Sequence, residues 1–358
     1  MMQMEYTTLD KISENLDSKR KPITSSDRVE GKIPYYGASG IVDYVKDYIF
    51  DESLLLVSED GANLLARSTP IAFSVTGKTW INNHAHVLRF SNENLQKFVE
   101  IYLNSISLES YVTGSAQPKL NQKMLNGIPI PVVDDSQIEI IVNSVENLKS
   151  IIEFRKQELA CLDDLIKARF VEMFGSIYDN KYGYNVMTLQ DVCEPIKDGT
   201  HQTPTYTEDT VNGFKFLSSK DVTSGKVDWD HLKYIPEELH NELYKRISPR
   251  KGDILLAKNG TTGVAAIVDR DEVFDIYVSL ALLKPLEMVT AEYLCSAVNS
   301  LETKHQFDHS LKEIGVPNLH LGEIKKTKII VPPIELQKQF ADFVHQVDKS
   351  KVVVASVK

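Results

Sequence analysis

The sequence predicts an α+β protein of two tandem globules, each followed by a long helix, with the two helices pairing with each other as a coiled coil. Three observations lead to this prediction: a ladder of apolar residues in the middle of the chain, a shorter ladder at its end, and an internal repeat with an offset near 200 residues. Such an offset is too long for a solenoid unit and indicates a duplicated domain with its helix.

The central ladder runs from Ser136 to Phe174, where apolar residues recur in steps of three and four with no Gly or Pro. A seam this narrow, sustained over about four heptads, is typical of a coiled-coil helix. Such a helix would be on the order of 55–60 Å long. The residues predicted to pack along it are Ile138, Ile141, Val145, Leu148, Ile152, Leu159, Leu162 and Ile166.

The second ladder begins after Pro333, and its predicted packing residues are Leu336, Phe340, Phe343 and Val347. In an antiparallel pair this shorter helix would leave the start of the first one, from Ile138 to Leu148, without a partner in the same chain. An uncovered apolar strip predicts self-association of the chain, or cover by another protein.

The internal repeat is carried by short matching motifs. Leu54–Val57 followed by Gly61 resembles Ile254–Ala257 followed by Gly260. The tetrapeptides that begin at Gln117 and Val316 share Pro and Leu at the same places, at an offset of 199 residues. Both copies therefore predict the same fold.

An insertion is expected in the second copy, because the offset drifts. Thr8–Ile12 resembles Thr188–Val192 at an offset of only 180 residues. We expect about twenty additional residues in the second copy, within Thr203–Phe214 and Trp229–Lys245.

Each copy shows short β-type runs separated by polar turns, with few helical segments. The strands predicted in copy one are Leu54–Val57, Ile71–Ser74 and Ala85–Phe90, with a helix at Asn94–Leu103. Those predicted in copy two are Phe214–Leu217, Asp253–Ala257, Val264–Val268 and Val278–Leu283, with a helix at Ala291–Asn299. The predicted domains are residues 1–135, the helix 136–175, residues 176–334 and the short helix 335–358.

Composition narrows the class of protein. The chain has 358 residues, a net charge of −10 and a sequence pI near 5.5, so no overall basic character indicates nucleic acid. Local clusters of Lys and Arg remain compatible with DNA, since binding depends on where the charge lies. Three scattered cysteines, no signal-peptide pattern and no long apolar run predict a cytoplasmic protein.

No catalytic motif is found for a nucleotide-binding enzyme, a serine hydrolase or an amino-methylating enzyme. His84 and His86 could together hold a metal, but no third ligand is evident, and the non-metal interpretation is favoured. Asp308, Glu323 and Lys325 mimic the acidic set of a metal-dependent nuclease, but copy one lacks the equivalent residues. The sequence therefore predicts neither catalysis nor a metal site.

The polar loops offer a different chemistry, since they combine Lys and Arg with amide, hydroxyl and aromatic side chains that bond phosphates and base edges. The alternative is that these loops are simply solvated turns. The candidate DNA-binding residues of copy one are Lys19, Arg20, Lys21, Tyr35, Tyr36, Ser58, Asn63, Arg67, Lys78, Trp80, Asn82, Asn83, His84, Gln117 and Lys119. Those of copy two are Lys197, Thr200, His201, Gln202, Ser218, Ser219, Lys220, Lys258, Asn259, Thr261, Thr262, Tyr277 and Lys312.

The chain resembles the specificity subunit of type I restriction–modification systems over essentially its whole length. The resemblance rests on the order of Ile33–Gly37, Gly114–Asn121, Asp198–Pro204 and Gly252–Leu255, and on the twice-repeated Pro-strand and helix. It implies two target-recognition domains that read the halves of a gapped DNA target, and two helices that pair as an antiparallel coiled coil and dock two methyltransferase subunits.

The resemblance also implies that the chain is not itself an enzyme and binds no cofactor. S-adenosylmethionine and ATP would belong to two methyltransferase subunits and to the restriction and translocation subunits. An alternative of another class is a scaffold that does not bind DNA, with two β-rich binding modules on a coiled coil. Salt-dependent binding to DNA would separate the two hypotheses.

Overall fold

The computed structural model describes residues 5–114, 117–310 and 317–356, and it divides the chain into two compact units, Met1–Glu153 and Phe154–Lys358. Each unit has its own hydrophobic cores. Across the described part of the chain, no helix combines the length and the apolar character that crossing a membrane requires.

Unit 1 alternates short strands with short helices and ends in the first part of a long one. Its elements are β1 (Tyr6–Thr8), α1 (Leu9–Ile12), β2 (Glu14–Asn15), β3 (Glu30–Gly37), β4 (Gly40–Val45), β5 (Phe50–Asp51), β6 (Leu54–Ser58), α2 (Asn63–Ala66), β7 (Ala72–Val75), β8 (Lys78–Ile81), β9 (Ala85–Arg89), α3 (Glu93–Ser105), α4 (Gln122–Asn126), β10 (Pro129–Pro131) and α5 (Asp135–Phe174).

Unit 2 begins within α5 and repeats the same kinds of element. It contains β11 (Asn185–Thr188), α6 (Leu189–Val192), β12 (Lys197–Asp198), β13 (Phe214–Leu217), β14 (Lys233–Ile235), α7 (Glu237–Arg246), β15 (Ile254–Ala257), β16 (Ala265–Ile267), β17 (Phe274–Ile276), β18 (Leu280–Leu283), α8 (Ala291–Val298), α9 (Leu301–Ser310), α10 (Leu321–Lys326), β19 (Lys328–Val331) and α11 (Ile334–Ser356).

The two units share one sheet plan. Unit 1 has the strand orders β2-β9-β6-β7 and β4-β3-β8-β5, and unit 2 has β12-β18-β15-β16 and β14-β13-β17. In both units the second sheet contains a parallel pair, β3 with β8 and β13 with β17. An antiparallel pair, β1 with β10 and β11 with β19, completes each plan. The duplication predicted from the motifs is therefore visible in the strand pairing.

The central strands β6 and β15 are apolar throughout because both of their faces are covered. Side chains alternate between the faces of a strand. Leu55 and Val57 accordingly enter one core of unit 1, while Leu54 and Leu56 enter the other. In β15 the same alternation sends successive residues to the two cores of unit 2. The sequence-predicted strands and the two predicted helices of the globules are confirmed, with ends displaced by at most two residues.

The insertion in the second copy lies later than predicted. Tyr36 pairs with Ile81 as Leu217 pairs with Ile276, which keeps the offset at 181 residues up to Leu217. The prediction that Thr203–Phe214 belongs to the insertion is therefore wrong. The extra residues lie between Leu217 and β15, so the other predicted segment, Trp229–Lys245, belongs to the part of the chain that is longer in the second copy, and it includes α7. Matching short motifs could not locate the insertion exactly, because the offset between the two copies is known only at the motifs and not in the residues between them.

Within unit 2, α5 and α11 pack antiparallel. Phe340 lies against Phe170 and Phe174, the Arg169 guanidinium lies 5.7 Å from the ring centroid of Phe343, and Lys351 Nζ lies 2.6 Å from Asp163 Oδ1. As residue numbers increase along α5, the numbers of their contact partners in α11 decrease, which confirms the predicted antiparallel direction. Leu336 also packs against this core, and Val347 is buried.

The ladder residues of α5 have different environments. Ile138 is buried in a core of unit 1 and Ile141 packs against that core, so the expectation that they lie uncovered is wrong. Ile166 packs against the main core of unit 2, and Val145, Leu159 and Leu162 are half-buried. Leu148 and Ile152 are 58% and 53% exposed and are not packed within the described chain. Periodicity alone could not separate these environments.

Candidate nucleic-acid interface

Unit 1 brings four polar loops together, residues 17–21, 58–63, 82–86 and 117–121, and we call this set the unit 1 loop cluster. Main-chain hydrogen bonds join two of the loops, since Gly61 N donates to Pro118 O at 3.1 Å and Leu120 N donates to Glu59 O at 2.8 Å. Trp80 Nε1, just before the third loop, donates to Lys21 O at 2.6 Å. Residues distant in the sequence thus form one continuous polar surface.

A charge network underlies this cluster. Arg20 Nη1 lies 2.6 Å from Glu59 Oε2 and its Nη2 lies 3.5 Å from Asp17 Oδ2. Arg20 Nη1 also donates to Ala85 O at 2.8 Å, and Lys119 Nζ lies 3.2 Å from Glu59 Oε1. Charge-assisted bonds of this kind fix geometry more firmly than neutral ones. Arg20 therefore ties the first, second and third loops together.

His86 lies buried between two hydrogen-bond acceptors of this network. Its Nε2 lies 2.7 Å from Leu120 O, and its Nδ1 lies 2.6 Å from Asp17 Oδ2. Both partners are hydrogen-bond acceptors, so the buried His86 ring links Asp17 to the main chain of the 117–121 loop. Burial raises the pKa of the Asp17 carboxyl, but the hydrogen bond and charge of His86, the Val87 amide and Arg20 outweigh it, and the pKa is lowered.

Asp17, Glu59 and His86 place ligand-type atoms within 4.8 Å of one another, an arrangement that could hold a metal ion. However, Arg20 pairs with both carboxylates and Lys119 pairs with Glu59, which accounts for the arrangement without an ion. His84 does not join His86, because its Nδ1 lies 2.8 Å from Asp60 Oδ2 in the 58–63 loop. The pairing of the two histidines considered from the sequence is therefore not formed.

Unit 2 builds the equivalent surface from residues 197–202, 217–221, 258–263, 277–280 and 317–319, which we call the unit 2 loop cluster. Gly260 N donates to Pro317 O at 3.1 Å and Leu319 N donates to Lys258 O at 2.7 Å, repeating the two bonds of unit 1. Thr200 forms a bridge with Tyr277, and Ser219 N donates to Ser279 Oγ at 3.0 Å. The two clusters therefore share one main-chain frame.

The charges within this shared frame differ. Lys258 occupies the place of Glu59, as the matching bonds from Leu319 and Leu120 show. Its Nζ lies 3.3 Å from Asp198 Oδ2, and both side chains are buried. Asp198 in turn occupies the place of Asp17, since it lies beside β18 as Asp17 lies beside β9. Asp198 Oδ2 also lies 3.2 Å from His201 Nε2, so unit 2 sets Lys258 and His201 around one acid where unit 1 uses a larger network.

Burial corrects five of the predicted DNA contacts. The side chains of Tyr35, Ser58, Asn82, Thr200 and Lys258 are all more than nine-tenths buried. The Tyr35 hydroxyl accepts from Ile23 N at 3.0 Å, and Ser58 Oγ donates to Ala38 O at 2.5 Å. These polar atoms are used inside the protein, so the residues shape the loops and do not face a ligand.

Five other predicted contacts already make interactions within the protein, and of these Lys78 is exposed while the other four are half-buried. Arg20 belongs to the charge network, and Arg67 donates to the carbonyls of Leu103 and Ile106, with its pKa lowered by burial. Asn63 accepts from Thr69 N, and the Lys78 ammonium lies 4.7 Å from the Tyr48 ring centroid. Burial also raises the pKa of Tyr36. Arg67 and Lys78 make these contacts away from the loop cluster.

The remaining candidates are accessible on the clusters. The exposed residues are Lys19, Lys21, Asn83, His84, Gln117 and Lys119 in unit 1, and Lys197, His201, Gln202, Lys220 and Thr261 in unit 2. The half-buried ones are Trp80, Ser218, Ser219, Asn259, Thr262 and Tyr277. Lys312 lies outside the described residues.

Sequence reasoning missed the residues that hold the loops. Asp17, His86 and Asp198 were not among the candidates, although each bonds a candidate loop. Arg246 was also missed, and its Nη2 donates to Asp198 O at 2.5 Å and Gly199 O at 2.6 Å. No local pattern marks them, because each acts on residues that are distant in the sequence.

Comparison with known proteins identifies the family. The profile of the type I restriction modification DNA specificity domain matches residues 1–163 and 181–353. A Haemophilus influenzae protein bearing the name of a type I restriction enzyme specificity subunit is 28% identical, covering 99% of this chain and 89% of its own. The MjaVIII specificity subunit of Methanocaldococcus jannaschii is 22% identical, covering 93% and 83%.

Solved structures show the same fold. The S subunit of the type I restriction–modification system from M. genitalium superposes with a TM-score of 0.57 at 14% identity, covering 99% of this chain and 91% of that one. A structure from work on assembly and conformational transition of the type I system gives 0.58 at 15% identity, covering 99% and 92%. With a family profile that matches both halves, the chain belongs to the type I restriction–modification DNA specificity family.

Proposed function

We propose that this chain reads a bipartite, gapped DNA target, one half with each loop cluster, and that it docks methyltransferase and restriction subunits on that target. In this proposal residues 1–135 and 176–334 are the target-recognition domains. The chain itself performs no catalysis, while S-adenosylmethionine and ATP are bound by its partners in the cytoplasm. Membership of the DNA specificity family supports the DNA-reading part of the proposal.

The observation that carries the proposal is that two loop clusters share one frame but carry different side chains. The main chain of Asp60 forms a β-bridge with that of Lys119 in unit 1, and Asn259 forms the equivalent main-chain β-bridge with Asn318 in unit 2. A carboxylate accepts from cytosine, whereas an amide suits adenine. The same frame with different polar groups supports the reading of two different half-sites.

Exposed cations on the clusters are suited to the phosphate backbone, which holds a reader in register. Lys19, Lys21 and Lys119 are exposed in unit 1, as are Lys197 and Lys220 in unit 2. Because the whole chain carries a net charge of −10, we propose that partner subunits supply much of the remaining positive charge.

Partner docking is supported by the surface of α5. Ile140, Leu148, Ile151 and Ile152 are each more than half exposed along its first part. Apolar side chains grouped in this way are typical of protein–protein contact sites. The chain could also cover them by self-association, and the oligomeric state in solution separates the two occupants.

The proposal is tested by mapping methylated adenines in cells that express the chain with methyltransferase subunits of its own system. A single bipartite motif with a fixed gap is the expected result. Exchanging residues 1–135 for those of a relative should change only one half of the motif. Failure to methylate, combined with failure of the three proteins to co-purify, would contradict the proposal.

A binding measurement addresses the alternative of a scaffold without DNA affinity. The assembled complex should bind target DNA with an affinity that falls steeply as salt rises, because binding releases counterions. Absence of binding to any duplex, even at low salt, would argue for the scaffold, and equal affinity for target and scrambled duplexes would contradict sequence-specific reading.

A further inference from the structure

Arg246 joins a helix to a candidate reading loop. It is the last residue of α7, and its Nη2 donates to Asp198 O at 2.5 Å and to Gly199 O at 2.6 Å. Lys197 Nζ donates to Arg246 O at 3.2 Å, so the contact runs in both directions. Guanidinium donors on carbonyls form charge-assisted bonds, the stronger class in proteins. The end of α7 and the start of the 198–202 loop are thereby held together.

The loop lies directly on the end of β17. A Cβ atom at Gly199 would lie 2.0 Å from Ile276 O, so only glycine allows this approach. Thr200 N donates to Ile276 O at 3.2 Å, and Val278 N donates to Thr200 O at 3.0 Å. These bonds place His201 and Gln202, which are exposed, beside Tyr277 on the unit 2 loop cluster.

Helix α7 is itself fixed to the same strand. His240 Nδ1 lies 2.7 Å from Asp275 Oδ2, and the His240 ring is stacked on Phe214 with centroids 3.7 Å apart. Leu243 is buried with Phe216 and Ile235. Asp275, which bonds the helix, and Ile276, which bonds the loop, are adjacent residues of β17. The helix and the loop are therefore attached to the same place on this strand. The helix therefore acts as a rigid support for the loop.

We propose that Arg246 is a positioning residue for the half-site read by unit 2: it sets the path of the 198–202 loop and so determines how His201 and Gln202 meet DNA. This rests on the proposed function. Because α7 lies in the segment that lengthens the second copy, its loss should affect one half of the target only. Displacement of a reading loop by about 1 Å is enough to lose productive geometry.

The test compares three variants of the full chain, expressed with methyltransferase subunits and examined by methylation-site mapping. Arg246→Ala should reduce discrimination in one half of the motif by about tenfold, near the cost of one mismatched base pair, and leave the other half unchanged. Arg246→Lys, whose ammonium can still donate to a main-chain carbonyl, should recover part of that discrimination. Lys245→Ala, which removes the neighbouring charge on the same helix, should retain the parental motif.

A second readout tests the positioning role in the free chain. Amide hydrogen exchange at Gly199, Thr200 and Val278 should accelerate in Arg246→Ala and not in Lys245→Ala, while β15 amides stay protected. Unchanged exchange at these three amides would overturn the inference whatever the methylation result.

The outcomes separate the inference from the proposed function. If the parental chain gives no bipartite motif, the proposed function fails, and hydrogen exchange still decides whether Arg246 holds the loop. If the parental motif is bipartite but Arg246→Ala matches it, only the inference fails. Equal loss in Arg246→Ala and Lys245→Ala would identify a simple phosphate contact and would also overturn it.

Discussion

Lys258 Nζ lies 3.3 Å from Asp198 Oδ2, at the places where unit 1 has Glu59 and Asp17. The substitution of a cation for an acid reverses the charge at one corner of a shared frame. Unit 1 balances its two acids with Arg20 and Lys119 beside the buried His86 ring, whereas unit 2 places Lys258 and the exposed His201 beside Asp198. Both arrangements of charge hold the same loop backbone, so the exposed side chains can differ between the two clusters.

The buried Lys258–Asp198 pair should be costly to break. Lys258→Met keeps the length of the side chain but leaves Asp198 buried without its cation, so we expect unit 2 to lose about 3–5 kcal/mol. Combining it with Asp198→Asn should recover much of this loss. Urea unfolding followed by Trp229 fluorescence in a Trp80→Phe background reports on unit 2. Equal losses in the single and double variants would contradict the ion-pair explanation.

Unit 1 should be sensitive to acid through Asp17 and Glu59. Burial raises the pKa of both carboxyls, but hydrogen bonds and nearby charges outweigh it. For Asp17 the main partner is His86, and its pKa lies below the usual 3.8. For Glu59 the main partner is Arg20, and its pKa lies below the usual 4.5. A lowered pKa stabilises the fold above the unfolded-state value, and this contribution disappears as the pH falls through the folded-state value. Unit 1 should therefore lose stability as the pH drops below about 4.5.

The matching variants test this pH dependence. Asp17→Asn should lower stability at pH 7 and flatten its fall between about pH 5 and 3. Asp47→Asn, at an exposed position of the same unit, should keep the parental profile. The measurement is denaturant unfolding at several pH values, followed by Trp80 in a Trp229→Phe background. A parental slope in Asp17→Asn would refute the assignment.

The junction of α5 and α11 should depend on Phe340. Its ring is fully buried among Phe170, Phe174 and Tyr293, so Phe340→Ala opens a cavity and should cost about 3–5 kcal/mol. Val352→Ala, on the same helix but 67% exposed, should stay within about 0.5 kcal/mol of the parent. Thermal unfolding of both variants provides the comparison, and similar costs would disagree with the packing described.

The exposed first part of α5 should matter for assembly and not for folding. Ile152→Glu places a charge at a position 53% exposed, so the stability of the chain should change little. Co-purification with methyltransferase subunits, or self-association seen by light scattering, should be lost. Lys149→Glu supplies the same acidic group at a neighbouring exposed position and should be milder. Unimpaired assembly of Ile152→Glu would show that this surface is not a docking site.

Local pattern was enough to predict the elements. The ladder predicted a helix at Ser136–Phe174, and it runs from Asp135 to Phe174. The buried runs at Leu54 and Ile254 are strands, and the motif pairs correctly indicated a duplication and the family. Helices, strands and repeated motifs depend on residues that are close in the sequence, so the period of the apolar residues and the turn-forming residues are enough to predict them.

The candidate surface was only partly predictable, because loop chemistry does not reveal burial. Tyr35, Ser58 and Lys258 have side chains suited to DNA, yet each lies inside the protein. The sequence likewise could not show that Ile138 enters a globular core while Ile152 stays exposed on the same helix.

The sequence by itself determined the two-copy plan, the long helices and the segments that carry polar loops. The tertiary structure alone decided which of those polar groups face outward and which hold the frame. Asp17, Glu59 and His86 are brought into one network, and Arg246 reaches the 198–202 loop, only when distant strands pair. The physical reason is that burial and charge pairing are set by neighbours in space, which the order of residues along the chain does not specify.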